Sequence, residues 1–193
     1  MKLKIFSLVF SLLLSGTAMA QEYGVALGFH QTSATVESTG STGSVSGKLG
    51  FEGGLQVAFE LIPNLRFRTG AMYNQRQFDY KIPAVGTLQF NYAYLDIPVG
   101  VQYGFNEMVS VFGGMIVGVK ASDSTKTPTS VGALDADMKT LYPLLNAGVN
   151  LLFDDMIGFD FFLERGVGSF ATFPTDNNLK DYTSFGMRFI YWM

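Results

Sequence analysis

The stretch "IGFDFFLER", residues 157–165, alternates bulky apolar side chains (Ile157, Phe159, Phe161, Leu163) with a set that includes two carboxylates, Asp160 and Glu164. Period two is the geometry of a strand, whose successive side chains leave opposite faces. One face must meet an apolar medium while the other holds charge. Which face points toward the centre of the protein decides the fold.

The same alternation recurs along the chain. Tyr23, Val25, Leu27 and Phe29 oppose Gly24, Ala26, Gly28 and His30. Leu49, Phe51, Leu55, Val57 and Phe59 oppose Lys48, Gly50, Glu52, Gly54, Gln56 and Glu60, and Leu65, Phe67, Ala71 and Tyr73 oppose Arg66, Arg68, Gly70, Asn74 and Arg76. Segments at 88–103, 109–121, 139–153, 157–168 and 182–193 bring the expected count to eight. Short connections at 61–64, 104–108 and 154–156 carry turn chemistry in Pro63-Asn64 and Asp154-Asp155. The alternate connections, 37–47, 81–87, 122–138 and 169–181, are long and rich in Ser, Thr, Gly and Asp, so they read as solvated loops.

Side-chain size sets the orientation. The face opposite the bulky residues collects Gly24, Gly28, Gly50, Gly54, Gly70, Gly100, Gly114, Gly118, Gly148, Gly158 and Gly186 beside its charges. An eight-stranded barrel has an interior only just wide enough for side chains, so the small residues belong inside and the bulky apolar face points out. A soluble lipocalin-like ligand binder would need the reverse, because an outward apolar band aggregates in water. The expected fold is all-β: a closed eight-stranded antiparallel up-and-down barrel that spans a membrane, with short turns at one rim and long loops at the other. No helix is expected to cross, since Met108–Val119 is too short to span a bilayer.

The N-terminus agrees with export. Lys2 and Lys4 precede an apolar stretch and the pattern Ala18-Met19-Ala20, which reads as a signal peptide over residues 1–20 cut after Ala20, leaving residues 21–193 as the barrel domain. The cleaved chain would keep 11 basic and 16 acidic side chains, giving nucleic acid no reason to bind. It has no cysteine, so stability comes from packing, closure and lipid.

Charges on the inward face need partners, and antiparallel register suggests them. Asp160 falls beside Arg188 and Glu60 beside Arg66, while Glu52, Arg76 and Asp96 gather at one level; with Glu164 these form the expected lumen ion-pair set. A water-filled lumen that simply hydrates the charges is the alternative. Aromatics at strand ends would form two interfacial girdles: Tyr23, Phe59, Tyr103, Phe153 and Tyr191 on the turn side, Phe29, Tyr73 and Phe170 on the loop side. Arg165 interrupts the apolar face, placed either to meet anionic lipid phosphates at the outer rim or to turn inward through a bulge. No cofactor or metal site is expected, because Asp123, Asp135 and Asp137 are too scattered for a calcium loop.

The strand "YLDIPVGVQYGF", residues 94–105, points Asp96 and Pro98 inward and Leu95, Ile97, Val99 and Val101 out. In it the chain resembles the small eight-stranded outer-membrane β-barrel proteins of Gram-negative bacteria, most closely their PorT-like or OmpX-like branches, over essentially the whole length after the signal. The C-terminal alternation of Phe185, Met187, Phe189 and Tyr191 is similar to the signal read by barrel assembly machinery, although Met193 stands where a terminal aromatic is usual. The resemblance implies an outer-membrane location among lipid and lipopolysaccharide. It implies a structural or surface-interaction role through the extracellular loops without an open pore, with a link to protein secretion as an alternative. Related barrels include lipid A deacylases. His30, Ser33 and Glu37 offer the residue types for that chemistry, but Ser33 has the opposite parity to His30, so no enzyme is expected.

Overall fold

The structure, a computed structural model, describes residues 21–37, 44–82, 86–126, 137–169, 171–172 and 178–193. The expected signal peptide and Phe170 lie outside the described residues. Eight long strands follow in chain order: β1 (Gln21–Glu37), β2 (Leu49–Ile62), β3 (Leu65–Ile82), β4 (Gly86–Gly104), β5 (Val109–Lys126), β6 (Leu141–Phe153), β7 (Ile157–Gly166) and β8 (Asn178–Trp192). Each pairs antiparallel with its sequence neighbours, and β8 returns to β1 with Gly24 opposite Trp192 and Leu27 opposite Phe189. That last pairing closes the barrel and leaves its wall without a free edge.

Turn chemistry explains one rim. Asn64 sits at φ 68° and Asp154 and Asp155 at 50° and 56°, the left-handed region that Asn and Asp enter more readily than other side-chain residues. Consecutive left-handed residues match the twist of a tight hairpin, so β6 and β7 are joined within three residues, 154–156.

Orientation follows side-chain size as expected. Asp160 and Glu164 are 0% and 1% exposed, whereas Phe161 and Leu163 are 40% and 52% exposed on the outer wall. The inner wall is crowded: a Cβ on Gly54 would lie 2.1 Å from the Ala71 carbonyl oxygen, and one on Gly186 would lie 2.6 Å from the His30 Cβ. Among the girdle residues, Tyr23, Phe29, Tyr73, Tyr103, Phe153 and Tyr191 are exposed on the outer face and Phe59 is half-buried. Trp192, of opposite parity, lies inside against Ala26, Ala58, Met72 and Ile190.

The strands outrun the expected loops. Ser122–Lys126 and Asn178–Asp181 are strand, and Ser44–Gly47 pairs with Phe78–Lys81 of β3. In the other direction, β7 ends at Gly166, and Val167 and Gly168 form a bend instead of strand. β3, β4 and β5 run 18, 19 and 18 residues, well beyond the roughly 9–11 that cross a bilayer. Their upper parts rise from the loop rim as a crown.

In the crown the pattern inverts. Gln75, Gln77, Asp79 and Lys81 of β3 and Gln89 and Asn91 of β4 take the outer face, while Phe78, Tyr80, Leu88, Phe90 and Tyr92 are buried inside. Polar surface bonds tie the outside together: Gln75 Nε2 donates to Asn91 Oδ1 at 3.1 Å, and Lys48 Nζ meets Asp79 Oδ1 at 2.8 Å. Inside, the Phe78 ring lies 5.9 Å from Phe90 and 5.5 Å from Tyr92, and Ala34, Met138, Tyr142 and Tyr182 complete the cluster. A bulge on β5 at Ala121, between the Ala93–Ser122 and Tyr94–Lys120 pairs, marks the changeover.

Candidate functional site

The chemistry of this molecule lies along its axis. At the turn end a polar cavity of about 290 Å³ is lined by Glu60, Arg66, Gln102, Glu107, Asn150 and Asp155, among others. Its inner wall is a hydrogen-bonded set: Gln102 Nε2 donates to Ser110 Oγ at 2.5 Å, and Ser110 Oγ to Asn150 Oδ1 at 3.3 Å. Asn150 then donates through Nδ2 to Asp160 Oδ1 at 2.7 Å, leading into the buried charges.

Asp160 is shared. Arg68 Nη2 approaches its Oδ2 at 2.8 Å from across the lumen, and Arg188 Nη1 reaches the same oxygen at 3.4 Å from the adjacent strand. Arg188 gives its better bonds to Glu52, with Nε to Oε1 at 2.7 Å and Nη2 to Oε2 at 3.1 Å. This two-pronged fork is the strong form of a guanidinium–carboxylate pair. The two residues sit two strands apart with Gly28 of β1 between them, opposite Arg188 on one side and Glu52 on the other. A Cβ on Gly28 would come within 2.7 Å of Glu52 Oε1. The glycine is what lets the pair meet.

A second charged layer lies nearer the loop end. Arg76 Nη2 donates to Asp96 Oδ2 at 2.5 Å and Nε to the Tyr182 hydroxyl at 3.1 Å, with the guanidinium over the Tyr94 ring at 4.8 Å from its centroid. Similar stacking holds the lower arginines: Arg188 lies 4.6 Å from the Phe162 centroid and Arg68 4.9 Å from Phe112. The apolar interior of the crown covers this layer.

Several pairings differ from those expected from register. Glu60 and Arg66 are opposite one another, yet the Arg66 guanidinium turns to Glu22 of β1 at 2.9 Å, so Glu60 makes no ion pair with it. Glu52, Arg76 and Asp96 do not form one group: Arg76 takes Asp96 and Glu52 takes Arg188. Asp160 and Arg188 are direct cross-strand partners, but Arg68 holds the shorter bond. Arg68 was legible as an inward residue; its partner lies across the lumen, where hairpin register carries no information. Among the described residues Glu164 forms no ion pair, and both its oxygens are buried without a hydrogen-bond partner.

His30 is fully buried, with Nδ1 2.9 Å from the Ser184 hydroxyl on β8. Ser33 is exposed on the other face, so His30 and Ser33 do not come together. Arg165 keeps the outward parity with no bulge in either flanking pairing, and its Nη2 lies 3.8 Å from Asp181 Oδ1 on the surface. Asp123 pairs with Lys120 at 2.9 Å, while Asp135 and the side chain of Asp137 lie outside the described residues. Among the described residues no three His, Cys, Asp or Glu side chains gather as a metal set.

A closed antiparallel barrel with an apolar outer belt and a charged, filled axis defines the class: a transmembrane β-barrel of the small eight-stranded kind. The chain belongs to the family described as outer membrane protein beta-barrel domain, whose signature matches residues 19–179. It is an integral protein of the bacterial outer membrane. Among solved structures it is similar to the outer membrane protein OprG from Pseudomonas aeruginosa, with TM-score 0.54 and 11% identity over 90% of this chain and 97% of that one. It is also similar to Neisserial surface protein A, with TM-score 0.52 and 13% identity over 89% and 96% of the two chains. At such identities the likeness concerns the fold. No curated protein matches the sequence significantly.

Proposed function

We propose that the protein is a sealed barrel that acts through its outer surface: the crown presents a polar sheet to partners outside the cell, and no solute passes along the axis. The observation that carries this reading is the filled centre. The Arg68, Asp160, Arg188 and Glu52 layer spans the lumen, the Arg76 and Asp96 pair lies above it, and the aromatic interior of the crown lies above both. Passage of an ion or small solute requires those charge pairs to separate, each leaving a buried uncompensated charge.

The lumen pairs have a structural role in this reading, holding strands from opposite sides of the barrel together. Residues 1–20 direct export and are removed, and residues 21–193 insert. Arg165, exposed just above the apolar belt beside Leu163 and Phe185, contacts lipopolysaccharide phosphates. A hydrolytic role lacks support, since His30 and Ser184 are both fully buried.

Reconstitution into planar bilayers tests the proposal. No conductance steps are expected from the refolded barrel, and stable single-channel openings would overturn the sealed reading. Excising the crown hairpin, residues 77–91, should leave the barrel folded and still non-conducting while abolishing any surface binding the intact protein shows.

A further inference from the structure

The cavity at the turn end lies below the charge layers that close the axis, and its lining is one-sided. Across β2, β3 and β4 the register sets Glu60, Arg66 and Gln102 in one row, and Ser110 of β5 stands opposite Asn150 of β6. The rim adds Glu107 and Asp155 from two turns that adjoin, since Leu152 N donates to Met108 O at 2.8 Å. Together they enclose about 290 Å³, the small end of the range for ligand pockets.

The floor leaves an acceptor open. Asn150 donates through Nδ2 to the Asp160 carboxylate, so its amide is fixed with Oδ1 toward Gln102. Gln102 must then offer Nε2 to Ser110 and Asn150, and its Oε1 accepts no bond from any described residue, although the side chain is only 7% exposed. A buried amide oxygen in that position points to a donor from outside the chain.

The mouth is short of donors as well. Glu60, Glu107 and Asp155 are exposed there and, among the described residues, take part in no ion pair or side-chain hydrogen bond. Arg66 is the one cation among the described lining residues, and Glu22 of β1 holds it at 2.9 Å. Three carboxylates thus face the space without a counter-charge. No three acidic groups gather closely enough to hold one metal ion among the described residues, so separate positive charges on one elongated molecule answer them better. A primary ammonium group donates hydrogen bonds and accepts none, the complement of a lining of open acceptors.

We infer that the turn-end cavity is a binding site for small linear diamines, one ammonium taken by Gln102 Oε1 and Glu60 and the other by Glu107 and Asp155. Short turns of outer-membrane barrels face the periplasm, so the ligand enters from that side. It goes no further, because the bonded Gln102, Ser110 and Asn150 close the floor.

Calorimetric titration of the full barrel, refolded in a maltoside detergent at low ionic strength, tests this with 1,4-diaminobutane as the probe. Saturable binding at one site is expected, with n-butylamine about fivefold weaker for want of the second charge. The double variant Glu107→Gln, Asp155→Asn should keep the heat-shifted gel band of a folded barrel, because both side chains are exposed and Asn tolerates the left-handed backbone at 155. It should bind the two amines alike. In nuclear magnetic resonance spectra of the natural protein, the side-chain amide signals of Gln102 should move with the same midpoint as the heat. The site is overturned by an absence of saturable binding, or by a preference for two charges that persists in the double variant. Gln102 signals that stay still at saturation overturn it even if the variant does not refold, since they mark diffuse attraction to an acidic rim. Tri-lysine binding more tightly than the diamine also overturns it, assigning the cavity to side chains of a protein partner.

Discussion

The lower barrel and the crown are built from the same strands yet obey opposite rules. On β3, the outer face runs Leu65, Phe67, Ala71 and Tyr73 and then Gln75, Gln77, Asp79 and Lys81, while the inner face passes from Arg66, Arg68 and Arg76 to Phe78 and Tyr80. The backbone pairing is continuous through the change: Tyr73 with Leu95, Gln75 with Ala93, Gln77 with Asn91. On this pair of strands nothing in the hydrogen-bond ladder distinguishes the two regions, and on the far side of β4 only the one-residue bulge at Ala121 marks the change. What distinguishes them is the solvent outside. Lipid demands apolar side chains on the outer wall and leaves the inner one for charge, whereas water restores the ordinary arrangement of an apolar core beneath a polar skin.

That contrast can be attacked at several points. The largest effect is expected in the lower lumen. Arg188→Ala leaves Glu52 without its fork and Asp160 with one arginine fewer, a loss of about 3–5 kcal/mol, read as a lower denaturation midpoint in urea for the barrel refolded in detergent. Unchanged stability would mean that the lower interior is simply wet. In the crown the corresponding anchor is apolar. Phe78→Ala should remove about 3–4 kcal/mol of local stability, seen as faster amide exchange at residues 76–92 with little change in the belt. Spread of that exchange through β6 and β7 would show the two regions to be one cooperative unit.

The outer wall gives the sharpest pair. Val99, exposed at the middle of the apolar face of β4, should cost about 2–4 kcal/mol when replaced by Arg, whereas Gln77→Arg on the crown should be close to neutral. Refolding titrations into lipid vesicles measure both, and similar costs at the two positions would erase the distinction. The smallest effect belongs to the crown's surface. Lys48→Ala removes the partly exposed contact with Asp79, worth less than about 1 kcal/mol, with a matching small shift in melting temperature.

The inversion also explains which parts of the sequence were readable. The belt announces itself through alternation, as in Tyr23 to His30, and through the glycines of the inner face. The crown hides, because Ser122–Lys126 and Ser44–Gly47 have the composition of a loop and take strand form only through pairing with Gln89–Ala93 and Phe78–Lys81. Lumen contacts divide in the same way. Asp160 opposite Arg188 follows from one hairpin, since register across a tight connection is nearly fixed. Glu52 with Arg188 requires β8 to close on β1 and a glycine at position 28. Arg66 with Glu22 spans two successive hairpins, as β1 and β3 both flank β2, so neither hairpin alone shows it. Closure is a property of the whole chain, invisible to any single hairpin.

The changeover between Tyr73 and Gln75 also acts as a waterline. Raising the barrel by one pair of residues, about 7 Å along a strand, would lift Tyr73 and Leu95 out of hydrocarbon, and lowering it would drag Gln75 in and bring Gln77 and Asn91 to the boundary. Both displacements are uphill, so the amino-acid sequence itself fixes the draught at which this vessel floats and keeps the crown from submerging.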